Sequence, residues 1–378
     1  MNNPANPLFL ELIRSAIWNR KADENLFNDV NESVWKEIIV FAESQSVSAL
    51  IYDGILTLPK SVWPDKKTVY KLFLQTEIIE KRNQKFIDEL KSISAEYSKI
   101  NCQFILLKGQ GNGSLYPNPS HRSPGDIDLY LYRKDDYLKA NRWAVSNGFK
   151  LEDENIHHQG FEYHDIHIEN HKNICFFGIK KYDRLIDEKI KDIIQKNMFE
   201  KIDLDGLRVK ILPVELNAFY IFYHLFHHFI HLGIGMRQLC DWTLFMKTYS
   251  ADINSKSFNE LVDSFDLTYA MKSFASFTVK YLGAKPEYFP FETDINNKYV
   301  DIILEDVFSG GNFGYDLFKK RTFHSELHRK WYSFRFSTKR IVKIADLAPE
   351  HIKPLPFIKL NTNLRLLVNT IKNNIRSV

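Results

Sequence analysis

A chain of 378 residues, 44% hydrophobic and 26% charged, with only 15 Gly and 13 Pro, is long enough for two or three packed domains and excludes a collagenous or largely disordered polymer. Cys102, Cys175 and Cys240 are widely spaced and odd in number, which speaks against a disulfide framework or a cysteine zinc site and points to a cytoplasmic protein. The net charge of +4 conceals an asymmetry: Lys319–Val378 holds 14 Lys/Arg against three acids, Glu326, Asp346 and Glu350, so a tail near +11 offsets about −7 elsewhere. No run approaches the roughly 20 apolar residues of a membrane span, and Met1-Asn2-Asn3-Pro4 does not open a signal peptide.

The first hundred residues read as helices. Pro7 to Asn19 places Leu8, Phe9, Leu12, Ile13, Ala16 and Ile17 at helical spacing, and Ser33 to about Leu56 repeats the pattern with Val34, Ile38, Ile39, Phe41 and Ala42. Thr68 to Ile100 is a long amphipathic stretch with no Gly or Pro to stop it. The character changes at Asn101. Phe104 to Leu107 is a short apolar run ending at Lys108-Gly109, a buried strand followed by a turn, and Gln110 to Tyr116 suits a short helix. Pro117, Pro119 and Pro124 punctuate a loop before Asp126 to Leu131, whose alternation predicts a half-buried strand. A helix over Asp135 to Asn147 stops at Gly148, strands follow near Phe161 to Ile166 and Ile168 to Ile174, then a helix from Tyr182 to Lys196 and a hairpin around Asp205-Gly206. From Pro213, a residue suited to a first helical turn, helices are expected over 213–231, 237–248, 257–264, 268–283, 298–308, 325–345 and 358–375. The organisation is α+β: a small mixed sheet in 101–212 between a helical region, 1–100, and a helical domain, 213–378.

Residues two apart on a strand point the same way, so Asp126 and Asp128 project together. Paired carboxylates are costly to keep ionised without a cation, and Mg²⁺ or Mn²⁺ held by one or two carboxylates and substrate phosphates removes that cost. Lys108 and Gly109, at a strand end opening a helix, suit a triphosphate, and Arg122 is a further phosphate partner by position. A third acid would come from the strand Ile166 to His171, where Asp165 and Glu169 compete and spacing alone does not choose. His224, His227, His228 and His231 share one helix face, but four ligands from one straight helix cannot converge on one ion, so they are expected to be interior or interface residues. Arg237 and Asp241, four apart, suit either an ion pair or a place facing the substrate.

The segment LLKGQGNGSLYPNPSHRSPGDIDLYL resembles the uncharacterised bacterial nucleotidyltransferase family within the DNA polymerase β-like nucleotidyltransferase superfamily. IHIENH is similar to that family's later strand, which favours Glu169 over Asp165, and HLGIGMRQLCDW resembles its helical Arg…Asp segment. The resemblance implies Asp126, Asp128 and Glu169 as metal-binding carboxylates, Gly109 at the triphosphate, and transfer of a nucleoside monophosphate from an NTP to an unidentified acceptor with release of pyrophosphate. One position departs: the superfamily has Gly-Ser or Gly-Gly at the turn, whereas Lys108-Gly109-Gln110 lacks the hydroxyl, so either Lys108 replaces it or triphosphate binding is altered. Two other functions compete, a non-catalytic scaffold on the same fold and a small-molecule phosphotransferase. The basic tail, with Lys319-Lys320-Arg321, Arg329-Lys330 and Lys339-Arg340 among Trp331, Tyr332, Phe334 and Phe336, would meet an anionic acceptor, nucleic acid or an acidic surface, or else pack as a terminal helix.

Overall fold

A computed structural model describes residues 3–231, 233–310 and 338–356. The N-terminal stretch forms α1 (Ala5–Trp18), α2 (Glu32–Ser44) and α3 (Ser48–Leu56). The single helix expected over Ser33–Leu56 is therefore two. The break lies at Ser46, with φ of 57°, and it turns the Gln45 amide into a tertiary clamp. Gln45 Nε2 donates to the Val307 carbonyl at 2.9 Å, and its Oε1 accepts from the Met236 amide at 2.7 Å. A buried amide with both ends satisfied by distant backbone outweighs one continued helical turn.

Helix α4 (Lys66–Lys99) starts at Asp65, whose carboxylate accepts from the Thr68 amide, and its 34 residues span roughly 50 Å. Its early turns bury Leu72 in one core, and Phe86, Leu90, Ile93 and Tyr97 enter a second. The strands are β1 (Ile105–Leu107), β2 (Ile127–Tyr130), β3 (His158–Tyr163) and β4 (Ile166–His171), in the order β1-β2-β4-β3. Strand β2 is antiparallel to β1 and parallel to β4, and β3–β4 is a hairpin. Between them lie α5 (Gln110–Gly113), shorter than expected, and α6 (Asp136–Ser146).

Period-two alternation divides the sheet. Leu106, Ile127, Leu129, Phe161, Ile166 and Ile168 pack with α4 and α6 in the second core. On that same side Tyr97 Oη donates to Asn170 Oδ1 at 2.7 Å, and Asn170 Nδ2 donates to Asn141 Oδ1 at 2.8 Å, which locks the register of β4. The opposite side carries Asp128, Glu169 and His171. All four residues of β2 are buried, so the half-buried strand expected from its alternation has both faces covered. Its polar positions face an interior cavity rather than solvent.

Helix α7 (Lys180–Lys196) and the hairpin β5 (Glu200–Leu204)–β6 (Leu207–Ile211) lead into α8 (Val214–His231), α9 (Met236–Thr248), α10 (Ser255–Ser264), α11 (Thr268–Leu282) and α12 (Lys298–Gly310). The N- and C-terminal helices bury their apolar faces in one cluster, and Trp18 Nε1 donates to the Leu282 carbonyl at 2.5 Å. Among the described residues no helix is long and apolar enough to cross a membrane. Most of the basic tail, and the helix expected over 358–375, lie outside the described residues; residues 338–344 are helical. Arg340 is committed to structure: it is ion-paired with Asp306, and its Nε donates to the Phe229 carbonyl at 2.6 Å.

His121 ties the loop before β2 to two helices. Its Nδ1 lies 2.8 Å from Asp53 of α3 and its Nε2 2.7 Å from Glu80 of α4. Burial lowers its pKa, but the hydrogen bonds and charges of Asp53 and Glu80 prevail and hold it above the usual imidazole value. A raised folded-state pKa means that this stabilisation is complete below the unfolded value of about 6.5 and is lost as pH climbs through the folded value. His121→Gln should therefore cost about 1.5–3 kcal/mol at pH 6, the range for charge-assisted hydrogen bonds, and less at pH 9. Urea unfolding at the two pH values checks this, and an equal loss at both would contradict it.

Candidate functional site

The carboxylates are positioned by backbone register. Asp128 of β2 lies directly beside Glu169 of β4 in the parallel pair. His171, two residues further along β4, bridges them: its Nε2 is 3.0 Å from Asp128 Oδ1 and 3.0 Å from Glu169 Oε2. Lys108 Nζ reaches the same Asp128 Oδ1 at 3.1 Å. Burial raises the Asp128 pKa, but Lys108 and the His171 hydrogen bond overcome it and hold the carboxyl well below the usual range. Hydrogen bonds to Asp128 and Glu169 raise His171 despite its burial and the opposing charge of Lys108. Asp126 stands just before β2 on the cavity wall, and its pKa is raised first by loss of water there and then by repulsion from Asp128.

Asp165, the competing acid, is elsewhere. His164 and Asp165 form the two-residue β3–β4 turn with φ of 48° and 65°, so the strand boundary expected near His167 falls three residues earlier. The Asp165 side chain is 95% exposed and 3.2 Å from Lys85.

The turn after β1 departs from ordinary backbone geometry. Lys108 has φ of 38°, and Gly109 has φ of 54° with ψ of −118°, a region that essentially only glycine occupies. A Cβ at Gly109 would find ordinary room, 3.5 Å from the Asp126 carbonyl oxygen, so glycine is required by the dihedrals rather than by space. The turn carries Lys108 to Asp128 and to His224 of α8, whose Nε2 is 3.5 Å away. Gln110, at the position of the missing hydroxyl, is buried and does not line the cavity; its amide nitrogen and oxygen have no protein partner.

Arg122 and Asp241 form a buried bidentate pair, Nε to Oδ1 at 2.8 Å and Nη2 to Oδ2 at 2.7 Å, with Tyr116 Oη donating to Oδ1 at 2.7 Å. Asp241 thus holds Arg122 and Tyr116, and Arg237 donates instead to the carbonyls of Ser123 and Pro124 at 2.9 and 3.3 Å. Arg237 Nε is buried without a protein partner.

These groups enclose a cavity of about 320 Å³. Lys108, Gly109, Arg122, Asp126, Asp128, Glu169, Arg237 and Asp241 all line it. The α8 wall adds Tyr220, His224 and His228. Burial, with Lys108 and neighbouring imidazoles behind it, pushes His224 well below its usual value and His228 down to about 3, so both rings are neutral near pH 7. His227 and His228 line the cavity with His224, so the histidine helix is a site wall as well as a core element. His158 and His171 also line the cavity, though the sequence assigned neither a role. His171 has a signal there, two residues beyond Glu169 on the same strand face; His158 depends on pairing with His171 across the hairpin.

No curated protein matches the chain. Among solved structures it is similar to an antigenic nucleotidyltransferase-like protein from Paracoccidioides brasiliensis, at 12% identity over 55% of this chain and 93% of that one, with a TM-score of 0.29. A family model described as uncharacterised nucleotidyltransferase matches residues 31–283, a span that runs from α2 through α11 and contains every residue of the cavity wall. The chain belongs to that uncharacterised nucleotidyltransferase family.

Proposed function

We propose that the cavity binds a nucleoside triphosphate with a divalent cation and transfers its nucleoside monophosphate to an acceptor, releasing pyrophosphate. The observation that carries this reading is the convergence of Asp128 and Glu169 on His171 Nε2, each at 3.0 Å, with Asp126 at the strand end and Lys108 and Arg237 on the same cavity. The donor set fits Mg²⁺ or Mn²⁺: hard carboxylates from adjoining strands stand side by side on one cavity wall. Asp126, Asp128 and Glu169 would hold the cation, which when bound supplies charge neutralisation for the phosphoryl oxygens.

The remaining work falls to the chain itself. Lys108, paired with Asp128, is placed to turn its ammonium to a phosphate, and Arg237 offers an unpaired N–H within the same wall. Gly109 lets backbone approach the phosphates without a side chain between. Arg122, whose fork Asp241 fills, anchors the loop that presents Asp126, a positioning role that replaces direct phosphate contact. Glu169 accepts the acceptor's proton or orients its hydroxyl.

The assay is incubation of the full chain with each NTP and Mg²⁺ or Mn²⁺, with products followed by mass spectrometry. Pyrophosphate with a nucleotidylated acceptor or self-modified protein supports the reading; a nucleoside diphosphate would make it a phosphotransferase, and no turnover with any NTP would favour a scaffold. Glu169→Gln should lower turnover about 10²–10³-fold with little change in NTP affinity, because its contribution is made in the transition state. Asp165→Asn, at the exposed turn, should leave turnover within about twofold, since surface changes away from the site are close to neutral. The reverse pattern in steady-state kinetics would remove Glu169 from this role.

A further inference from the structure

From the imidazoles that crowd Glu169 we infer that His158, Glu169 and His171 form a mixed nitrogen–oxygen subsite for a borderline first-row divalent cation such as Zn²⁺ or Co²⁺, in preference to Mg²⁺. The inference rests on the proposed cation site, because Glu169 belongs to both.

Three strand positions build the subsite. His158 of β3 and His171 of β4 are direct partners across the hairpin, with ring centroids 4.8 Å apart. Glu169 stands between their nitrogens: His171 Nε2 is 3.0 Å from Oε2, and His158 Nε2, which accepts from Asn155 Nδ2 at 2.7 Å in a bond that a cation would displace, is 3.3 Å from Oε1. One ligand atom from each of the three residues lies within 4.8 Å of the others. Bonds of about 2.1 Å place neighbouring ligand atoms roughly 3.0 Å apart in an octahedron and 3.4 Å in a tetrahedron, so the two imidazole–carboxylate contacts, one on each oxygen of Glu169, have the length of such edges. Asp128 Oδ1, 3.0 Å from His171 Nε2, lies at the distance of a fourth ligand.

Gly160, the residue opposite Glu169, leaves its Cβ place to the His167 ring and Glu152. A Cβ there would come within 2.8 Å of the His167 ring and of Glu152. The glycine thus lets side chains close over the face without a substituent beneath them.

Donor chemistry sets the preference. Magnesium takes oxygen ligands and keeps several waters, whereas imidazole favours zinc and its first-row neighbours. The subsite is not a structural zinc site, however. Nδ1 of both His158 and His171 is buried without a protein partner, so neither ring is held from behind by a carboxylate or carbonyl. Loss of such outer support costs about 10–100-fold in affinity, which makes a reversible, exchangeable cation the expectation.

The test uses the metal-stripped full chain without nucleotide. Co²⁺ is titrated and followed by its visible absorption, and equilibrium dialysis measures Zn²⁺ and Mg²⁺ uptake. The expected result is one equivalent of Co²⁺ with a spectrum of mixed nitrogen–oxygen coordination, displaced by Zn²⁺ and not by a large excess of Mg²⁺. His158→Gln and His171→Gln should each weaken Co²⁺ binding at least about 10-fold. His158 is the more exposed of the two and serves if replacement of buried His171 compromises folding. Co²⁺ binding unchanged in His158→Gln but lost in Asp128→Asn would overturn the subsite and leave the carboxylate site of the proposed function standing. Uptake of no cation would overturn the subsite, and metal-dependent pyrophosphate release measured on the same preparation would then show whether the proposed function survives.

Discussion

Asp128→Asn should all but abolish nucleotidyl transfer, with a loss of about 10²–10³-fold in turnover, while the protein remains folded. The magnitude follows from removing one preorganised charge from the transition state, which costs about 3–4 kcal/mol where water is excluded. Asp128 is buried, lies beside Glu169 across the parallel pair, and holds Lys108 at 3.1 Å and His171 at 3.0 Å. Asparagine keeps an acceptor oxygen for those two donors, so the sheet has no cause to rearrange. The carboxylate's charge is what disappears. Calorimetric titration with Mn²⁺ and a non-hydrolysable NTP separates binding from chemistry, and circular dichroism reports the fold. If the variant binds the metal–nucleotide complex as tightly as the parent, the cation is not held by this carboxylate.

Arg122→Ala should be the most destabilising single change among the site residues, costing about 3–5 kcal/mol, the usual consequence of leaving a buried charge without its partner. Both side chains of the Arg122–Asp241 pair are only 7% exposed, and Tyr116 supplies just one further hydrogen bond to the stranded carboxylate. Replacing both members, as Arg122→Met with Asp241→Leu, should recover much of that stability, because the desolvation of two ions is avoided. Activity should not return with it, since the loop that presents Asp126 has lost its tie to α9. A phosphate-binding arginine would behave differently: its loss would raise the KM for NTP and leave unfolding little changed. Urea unfolding of the single and double variants, with steady-state kinetics beside it, decides between the two. A cost below 1 kcal/mol for Arg122→Ala would mean that Asp241 finds other partners.

The two readings of the basic tail, as an anion contact or as a packing element, separate at Arg340. Its guanidinium is spent on Asp306 and the Phe229 carbonyl, so at this position a basic residue in a positive run is an internal tie between α12 and α8. Net charge along a sequence counts such residues as surface charge, although burial and pairing remove them from it.

What the sequence by itself determined is local and periodic. Strand spacing put Asp126, just before β2, and Asp128 within it towards the same cavity, and the apolar run ending at Lys108-Gly109 marked the turn that meets them, because period two depends only on neighbouring residues. The α+β organisation was legible for the same reason, from helical spacing on either side of a short strand-rich segment. What only the tertiary structure decided depends on partners far along the chain. Gln45 breaks the expected helix to reach the Val307 carbonyl, and Arg122 on the cavity wall pairs with Asp241 from a helix far along the chain. His158 joins the cavity through its cross-strand position, and the His164-Asp165 turn sends one candidate acid to the surface while leaving Glu169 beside Asp128. Buried polar groups must be satisfied wherever a partner lies, and no local pattern records which distant residue supplies it.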